Sequence, residues 1–183
     1  MKKQVWIVKV NNLRSKESEY PLDFRPSRSL MSPKEYKDGK DSYSNMRKIK
    51  KGDIIITLAD KKIMSSASIA KSSYTEKTIS FSEWTGDIYY IKTQNQKNFT
   101  TPLVIKDLFA SKNHTLLNKI NDSSEVFYDK RFYLRQGAYI TPCSKELLTF
   151  LNNEYLEISK QNIPHISNDM VHNMGNDDLF LHI

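Results

Sequence analysis

Lys51-Gly52-Asp53-Ile54-Ile55-Ile56-Thr57-Leu58-Ala59 is the stretch of sequence that decides the fold. It opens with a Gly-Asp turn and continues as an unbroken apolar run of mostly β-branched residues, which predicts a buried strand. Asp60-Lys61-Lys62 then predicts a hairpin turn, and residues 63–70 predict a second strand of alternating character. A sheet therefore starts here, and we expect the rest of the chain to pack around it.

Further β-rich runs lie on both sides of this hairpin. Val5–Val10 predicts a largely buried first strand, residues 88–93 predict a strand after Gly86, and weaker strands are predicted over 127–134 and 137–141. A short helix is expected from Thr101-Pro102 to Phe109, and a clear helix after Pro142 carries Leu147, Leu148, Leu151 and Tyr155 on one face. Strands do not alternate regularly with helices. We therefore predict an α+β fold, a small mixed β-barrel flanked by helices.

The chain of 183 residues has the length of one domain. Residues 11–51 have little periodicity, so we expect a long functional excursion with one short helix. After about residue 159 the sequence is polar and without pattern. We therefore predict one domain over residues 1–158 and a polar tail or linker over residues 159–183.

Composition and charge indicate the class of protein. The single cysteine, Cys143, excludes an internal disulfide, and no apolar run is long enough to span a bilayer, so we expect a cytoplasmic protein without a membrane partner. The net charge is +7, and residues 1–51 hold 14 of the 28 Lys and Arg but only 6 of the 21 Asp and Glu. This basic first third would attract a polyanion, although a solvated lysine-rich surface is the alternative.

Catalytic signatures are weak. Neither glycine-rich phosphate loop occurs, and the four histidines are too scattered for a zinc site, so we expect no catalysis, no metal and no cofactor. Cys143 is better explained as a small buried hydrophobe than as a nucleophile. One alternative stays open: Asp23, Glu35 and Lys37 resemble the metal-dependent nuclease pattern, although Pro33 and Lys34 disfavour the rigid strand that this pattern needs.

The order of these signals resembles that of EVE domains, members of the PUA-like superfamily, over residues 4 to 157. Trp6-Ile7-Val8-Lys9-Val10 is similar to the family's first strand, and Met46 to Ile56 resembles its "Met-Lys-x-Gly-Asp" entry to strand two. Residues 101–108 look like its "Pro-Val-Ser-Leu-x-x-Leu" helix, and Arg135 to Pro142 looks like its last strand. The family's Glu-Pro after strand one is replaced by Asn11-Asn12, and the basic stretch is longer than in compact members.

A further resemblance to YTH domains indicates a pocket. Glu83-Trp84-Thr85-Gly86 is similar to the YTH segment that carries a cage tryptophan. This resemblance implies that Trp84 and Phe81 hold a flipped base by stacking, with Tyr43 near the pocket. Packing at the end of the barrel is the alternative for Trp84, and core packing is the better reading of Trp6. The candidate groups for reading the edge of the base are Asn11, Asn12, Ser44 and Asn45.

The resemblance implies a non-catalytic domain that recognises a modified, methylated base. In bacteria such domains supply DNA specificity to modification-dependent restriction systems, including McrB-like proteins, beside a fused or associated GTP-hydrolysing motor and a nuclease subunit. We expect Arg14, Arg25, Arg28 and Arg47 to contact phosphates. The expected partner is modified DNA rather than RNA, and an RNA-binding PUA-type module is the alternative.

Overall fold

A computed structural model describes residues 2–34 and 43–172 of the chain. Within these residues, seven strands form one sheet and four α-helices flank it, so the predicted α+β class is confirmed. The strands are β1 (Val5–Val10), β2 (Ser29–Pro33), β3 (Ile54–Ala59), β4 (Ile63–Ala70), β5 (Thr75–Ile79), β6 (Gly86–Val104) and β7 (Ile140–Cys143). The helices are α1 (Leu13–Glu19), α2 (Ile105–Leu108), α3 (His114–Ser123) and α4 (Lys145–Ser159).

The sheet is strongly curled, and its longest strand changes partners along its length. Six strands follow the order β2-β6-β4-β3-β1-β7, and β5 pairs with β6 beside this path. The 19-residue β6 pairs with β2 and β5 through its first part and with β4 through its second part. Shifts of register between β4 and β6 accompany this change of partner. The result is a half-barrel with helices at its edges.

A buried carboxylate joins the two strands at the centre of the sheet. Asp53 is 5% exposed and accepts hydrogen bonds from the Gln4 backbone N–H at 3.1 Å, the Trp6 indole at 3.0 Å and the Lys50 backbone N–H at 3.0 Å. Hydrogen bonds of this kind to a charged acceptor are stronger than neutral ones. The Gly-Asp turn therefore positions β3 parallel to β1, with Val5 opposite Ile54.

Strand β1 is buried on both faces, which explains its nearly continuous apolar sequence. Val5 and Ile7 belong to a core between the sheet and helices α3 and α4. Trp6 and Val8 belong to a second core on the other face, together with Leu30 and Ile91. Trp6 is 4% exposed, so the predicted core packing of this tryptophan is confirmed.

The helix after β7 forms where the sequence predicted it. The Ser144 hydroxyl caps its N-terminus by accepting from the Leu147 backbone N–H at 3.2 Å. Leu147, Leu151 and Tyr155 are buried against the sheet, as their spacing requires. Among the described helices, none combines the length and the hydropathy that crossing a bilayer requires.

Several elements differ from the predictions. Residues 11–34 contain strand β2, and α3 and β5 were not predicted at all. Residues 101–104 continue β6, so helix α2 begins only at Ile105. β5 has four exposed residues of five, and β2 contains two serines, so neither carries the hydrophobic pattern of a strand. Pairing with β6 determines both of them.

The described residues after α4 pack against the body of the domain, unlike the tail predicted for residues 159–183. Ile163 and Ile166 are 1% and 6% exposed and join the core beneath α4. The buried Asn152 accepts from the Ile163 backbone N–H at 2.8 Å, and Thr149 accepts from the His172 backbone N–H at 2.9 Å. The segment is polar overall, but its two buried isoleucines attach it to the core. Residues 173–183 lie outside the described residues.

Candidate functional site

An aromatic cavity lies between the end of β1, helix α1, strand β2 and the turns before β6 and β7. Its volume is about 30 Å³, which is room for one or two water molecules. Four aromatic residues surround it, with apolar and cationic side chains between them. Its lining consists of Lys9, Val10, Lys16, Tyr20, Phe24, Pro26, Ser29, Met31, Trp84 and Tyr139. We refer to this space below as the aromatic cavity.

Trp84 lies mostly buried in a short turn at the entrance to β6. The Ser82 hydroxyl accepts from the Trp84 backbone N–H at 3.1 Å, and the Thr85 hydroxyl donates to the Ser82 carbonyl at 2.9 Å. Gly86 follows with a φ of 127°, a conformation that residues with a Cβ rarely adopt. The turn thereby directs the chain into β6 while the indole faces the cavity.

Tyr139 forms the wall opposite Trp84. The two rings meet edge to face, with centroids 6.3 Å apart and planes at 73°. Tyr43 packs behind Tyr139 at 5.8 Å, also edge to face. Burial raises the pKa of Tyr139, and hydrogen bonding to the backbone of Met31 opposes that rise only in part. Tyr139 is therefore a neutral ring that is held in place by aromatic contacts with Trp84 and Tyr43.

Charged groups surround Trp84 at the rim of the cavity. The Lys16 ammonium lies 5.0 Å from the centre of the indole ring and 3.6 Å from a carboxylate oxygen of Glu83. The Tyr20 hydroxyl donates to the other Glu83 oxygen at 2.9 Å. Burial and then the bond to Glu83 raise the pKa of Tyr20 to about 12. Burial acts to raise the pKa of Glu83 as well, but hydrogen bonds from its own backbone, Tyr20 and Lys16 hold it below its usual value.

Lys9 brings a second cation to the cavity. Its ammonium donates a hydrogen bond to the backbone carbonyl of Arg135. Burial, and then repulsion by Lys61, lower the pKa of Lys9. Lys9 is thus a cation that is partly desolvated before any ligand arrives, and an anionic or carbonyl oxygen of a ligand would stabilise it.

Phe81 supports the aromatic cavity from behind and is absent from its lining. Its ring packs edge to face against Tyr20 at 5.3 Å and lies tilted against Phe24 at 4.9 Å. Phe24 in turn contacts Tyr90 at 5.3 Å, and the Tyr90 hydroxyl donates to the Asp23 carbonyl at 2.7 Å. The predicted pair of Trp84 and Phe81 therefore shares one aromatic cluster, but only Trp84 faces the cavity.

The four predicted edge-reading residues are not part of the lining. The Asn45 amide donates to the Glu125 carboxylate at 3.1 Å and to the Ile140 carbonyl at 3.0 Å, so it holds β7 in place. Asn11 and Asn12 are exposed beyond the end of β1, and Asn12 begins α1 with a left-handed φ of 55°. Ser44 is half-buried at the start of a short 3-10 helix. The polar groups that do reach the cavity are those of Lys9, Lys16, Ser29 and Tyr20.

The predicted phosphate contacts are spread over the first third of the chain. Arg14, Arg28 and Arg47 are exposed, and Arg47 lies 5.9 Å from the ring centre of Tyr89. Arg25 is half-buried, and its guanidinium donates to the Tyr20 carbonyl at 3.0 Å, which supports the wall of the aromatic cavity. Arg28 lines a second cavity, described below.

Of the three residues in the nuclease alternative, only Asp23 lies within the described residues. Asp23 is exposed beside Phe24, whereas Glu35 and Lys37 lie outside the described residues. Among residues 2–34 and 43–172, no group of three His, Cys, Asp or Glu side chains is arranged to hold a metal ion. Cys143 is buried, and burial raises the pKa of its thiol, so the predicted role as a small buried hydrophobe is confirmed.

Sequence reasoning missed most of the cavity. Tyr139 lies within the stretch that resembles the last EVE strand, and its position before β7 was the available signal. Tyr20, Phe24 and Met31 belong to the stretch that appeared irregular, and no local pattern relates them to Trp84. Pairing of β2 with β6 brings them together.

Comparison with known proteins leaves the family open. No protein-family model and no curated protein matches the chain. Among solved structures, the chain is similar to protein Atu2648 from Agrobacterium tumefaciens, with 14% identity over 84% of this chain and 89% of that one and a TM-score of 0.46. A likeness of this degree carries no argument about function. The curled sheet and flanking helices are compatible with a PUA-like fold.

Proposed function

We propose that this domain binds a nucleic-acid base, preferentially a methylated one, in the aromatic cavity and performs no chemistry on it. The observation that carries the proposal is the convergence of Trp84 and Tyr139 on one cavity that has cations at its rim. Stacking on an aromatic side chain contributes about 1–3 kcal/mol per base and suits any base, because every base has a π-face. Lys9 and Lys16 supply donors beside that stacking surface.

Entry of a base requires Trp84 to move. The closed cavity of about 30 Å³ holds water but is several times too small for a base. Trp84 and Tyr139 now meet edge to face, whereas a base lies between rings that are nearly parallel. The turn from Ser82 to Thr85 lies between β5 and β6, so its movement costs its own two hydrogen bonds and the contacts of Glu83 with Tyr20 and Lys16, but no pairing between strands.

The rim explains how one base is preferred over another. Glu83 is an acceptor, Lys16 is a donor, and the Tyr20 hydroxyl is either, so together they match an edge that has both an amino group and a ring acceptor. A methyl group on that edge would be buried against Met31 and the aromatic walls, where it is favoured over water. Adenine and cytosine both have such an edge; the methyl group of N6-methyladenine lies on it, and that of 5-methylcytosine lies next to it on C5.

The resemblance to EVE domains supports DNA over RNA and a role in a modification-dependent restriction system. In that role the domain supplies specificity, and a fused or associated GTP-hydrolysing motor and nuclease subunit carry out cleavage. The basic first third supplies sequence-independent attraction to the phosphates.

The test is a panel of duplex and single-stranded oligonucleotides that carry N6-methyladenine, 5-methylcytosine, 5-hydroxymethylcytosine or no modification, each as DNA and as RNA. Binding is followed by intrinsic fluorescence, because the chain has two tryptophans and the other one, Trp6, is buried in the core. We expect quenching by one modified base at lower concentration than by its unmodified counterpart. The variant Trp84→Phe should retain binding and lose the fluorescence signal.

Two results would reject the proposal. Equal affinity for every modified and unmodified strand would leave only charge-driven binding. Quenching that persists in Trp84→Phe would place the ligand elsewhere. Preference for the RNA strands would retain the base pocket and assign the domain to RNA.

A further inference from the structure

A second cavity lies next to the aromatic cavity, and residues 26–29 separate the two. Pro26 and Ser29 line the aromatic cavity, whereas Ser27 and Arg28 between them line the second one. This second cavity has a volume of about 480 Å³. Its lining is polar and cationic, consisting of Ser27, Arg28, Lys71, Lys92, Thr93, Gln94 and Asn95. We call it the basic cavity.

The basic cavity has three cationic residues, Arg28, Lys71 and Lys92, and two backbone hydrogen bonds connect the segments that carry them. The Thr93 backbone N–H donates to the Arg28 carbonyl at 2.8 Å, and the Lys71 backbone N–H donates to the Lys92 carbonyl at 2.8 Å. Arg28 directly precedes β2, Lys71 follows β4, and Lys92 lies on β6 between them. The sheet therefore places the backbones of these three residues beside one another.

A bulge in β6 forms the floor of the basic cavity. Residues 94–97 of β6 span the same length as residues 67–69 of β4, so β6 carries one extra residue there. Asn95 takes a left-handed φ of 53° within this bulge, and its carbonyl bonds the His165 ring at 2.7 Å. Bulges often redirect side chains at binding sites, and this one presents Gln94 and Asn95 to the cavity.

The charges of the basic cavity have no counter-charge. Arg28, Lys71 and Lys92 are exposed, and none forms an ion pair with a carboxylate of the described residues. No acidic residue is present in the lining. A concave space lined by three cations and no acidic group has a positive potential that attracts an anion.

Amide side chains add neutral donors to the cations of the basic cavity. Gln94 and Asn95 both belong to its lining, and each carries an amide that can donate to a ligand oxygen. The Thr93 hydroxyl is buried without a hydrogen-bond partner in the described structure and is not accessible from the cavity, so it is not counted among the ligands.

We infer that the basic cavity binds a phosphate group through Arg28, Lys71 and Lys92. Guanidinium and ammonium groups are typical ligands of phosphate oxygens. Since the basic cavity adjoins the aromatic cavity through residues 26–29, the phosphate is that of a strand whose base enters beside Trp84. This last step rests on the proposed function, whereas the phosphate site itself does not.

The first experiment neutralises Lys71 and Lys92 together as Lys71→Gln/Lys92→Gln. A matched control is Lys112→Gln/Lys119→Gln, which removes the same charge from exposed lysines of the α3 region. Affinity is measured against salt for a single strand with the preferred modified base and for the same strand with an abasic residue. The Lys71/Lys92 variant should bind both strands more weakly by a similar factor and lose about 1.4 from the salt slope. Equal losses in the control variant would overturn the site.

The second experiment separates the phosphate site from the base pocket. Inorganic pyrophosphate is titrated into the isotopically labelled protein, and we expect amide shifts at Lys71 and at residues 92–95. These shifts should vanish in the Lys71/Lys92 variant and persist in the Lys112/Lys119 variant. Shifts without oligonucleotide selectivity would retain the phosphate site and reject the base pocket. No shifts at these residues, or shifts that persist in the Lys71/Lys92 variant, would reject the phosphate site.

Discussion

Replacement of Trp84 by alanine separates a ligand-binding role from a packing role. Trp84 is mostly buried, so its loss forfeits most of the 150–250 Å² that an aromatic side chain buries. At about 25 cal/mol per Å² this amounts to about 3–5 kcal/mol of unfolding free energy, which includes its contacts with Tyr139 and Lys16. Urea denaturation measures this loss, and it leaves a folded protein for binding assays if the total is ordinary for a domain.

The loss of binding should be selective. Removal of one stacking wall should cost about 1–3 kcal/mol for the preferred modified base, or about 5-fold to 150-fold in Kd. The salt-dependent background should persist, because phosphate contacts do not involve the indole. Fluorescence anisotropy with labelled modified and unmodified strands measures both the base-specific affinity and the salt-dependent background.

The exposed Tyr133 provides the matched control for this experiment. It is an aromatic residue that is 65% exposed and outside the aromatic cavity, so Tyr133→Ala should leave affinity and selectivity unchanged. If Trp84→Ala binds modified and unmodified strands in the wild-type ratio, Trp84 is a packing residue. If it loses both strands equally, the indole acts on the fold and not on the base.

Three further outcomes are expected from the structure. Asp53→Ala should destabilise the domain by about 3 kcal/mol or more in urea, since it leaves three donors without their acceptor, and a loss below about 1 kcal/mol would contradict that role. Ile163→Ala should cost about 2–5 kcal/mol, whereas Ile158→Ala, at an exposed position, should cost under about 0.5 kcal/mol; similar values would mean that the segment after α4 does not pack. The Tyr20 proton is held to about pH 12 in the folded state but leaves near pH 10.0 in the unfolded chain, so its contribution to stability is complete below pH 10.0 and lost as the pH rises to about 12. Tyr20→Phe should lack this loss, and identical alkaline stability profiles for the two proteins would refute the assignment.

Elements with strong local patterns could be predicted from the sequence. β1, β3 and β4 were expected from continuous or alternating apolar runs, and α4 from four apolar residues on one helical face. β2 and β5 could not be predicted, since neither buries a regular apolar face of its own and both exist through pairing with β6. The packing of the segment around Ile163 could not be predicted either, because two buried residues in a polar stretch leave no periodic signal.

The sequence by itself determined the α+β class, the buried hairpin that begins at Asp53, the core position of Trp6 and the choice of Trp84 as a residue to test. The first three conclusions rest on short-range patterns, in which the order of apolar and polar neighbours indicates burial, whereas the choice of Trp84 rests on the resemblance to YTH domains. Only the tertiary structure decided that Trp84 faces Tyr139, that Phe81 lies behind the wall and that Asn45 holds β7. It alone also joined Arg28, Lys71 and Lys92 into one cavity. Such groupings depend on strand pairing and curl between residues far apart in sequence, and no local pattern records which distant side chains the sheet will bring together.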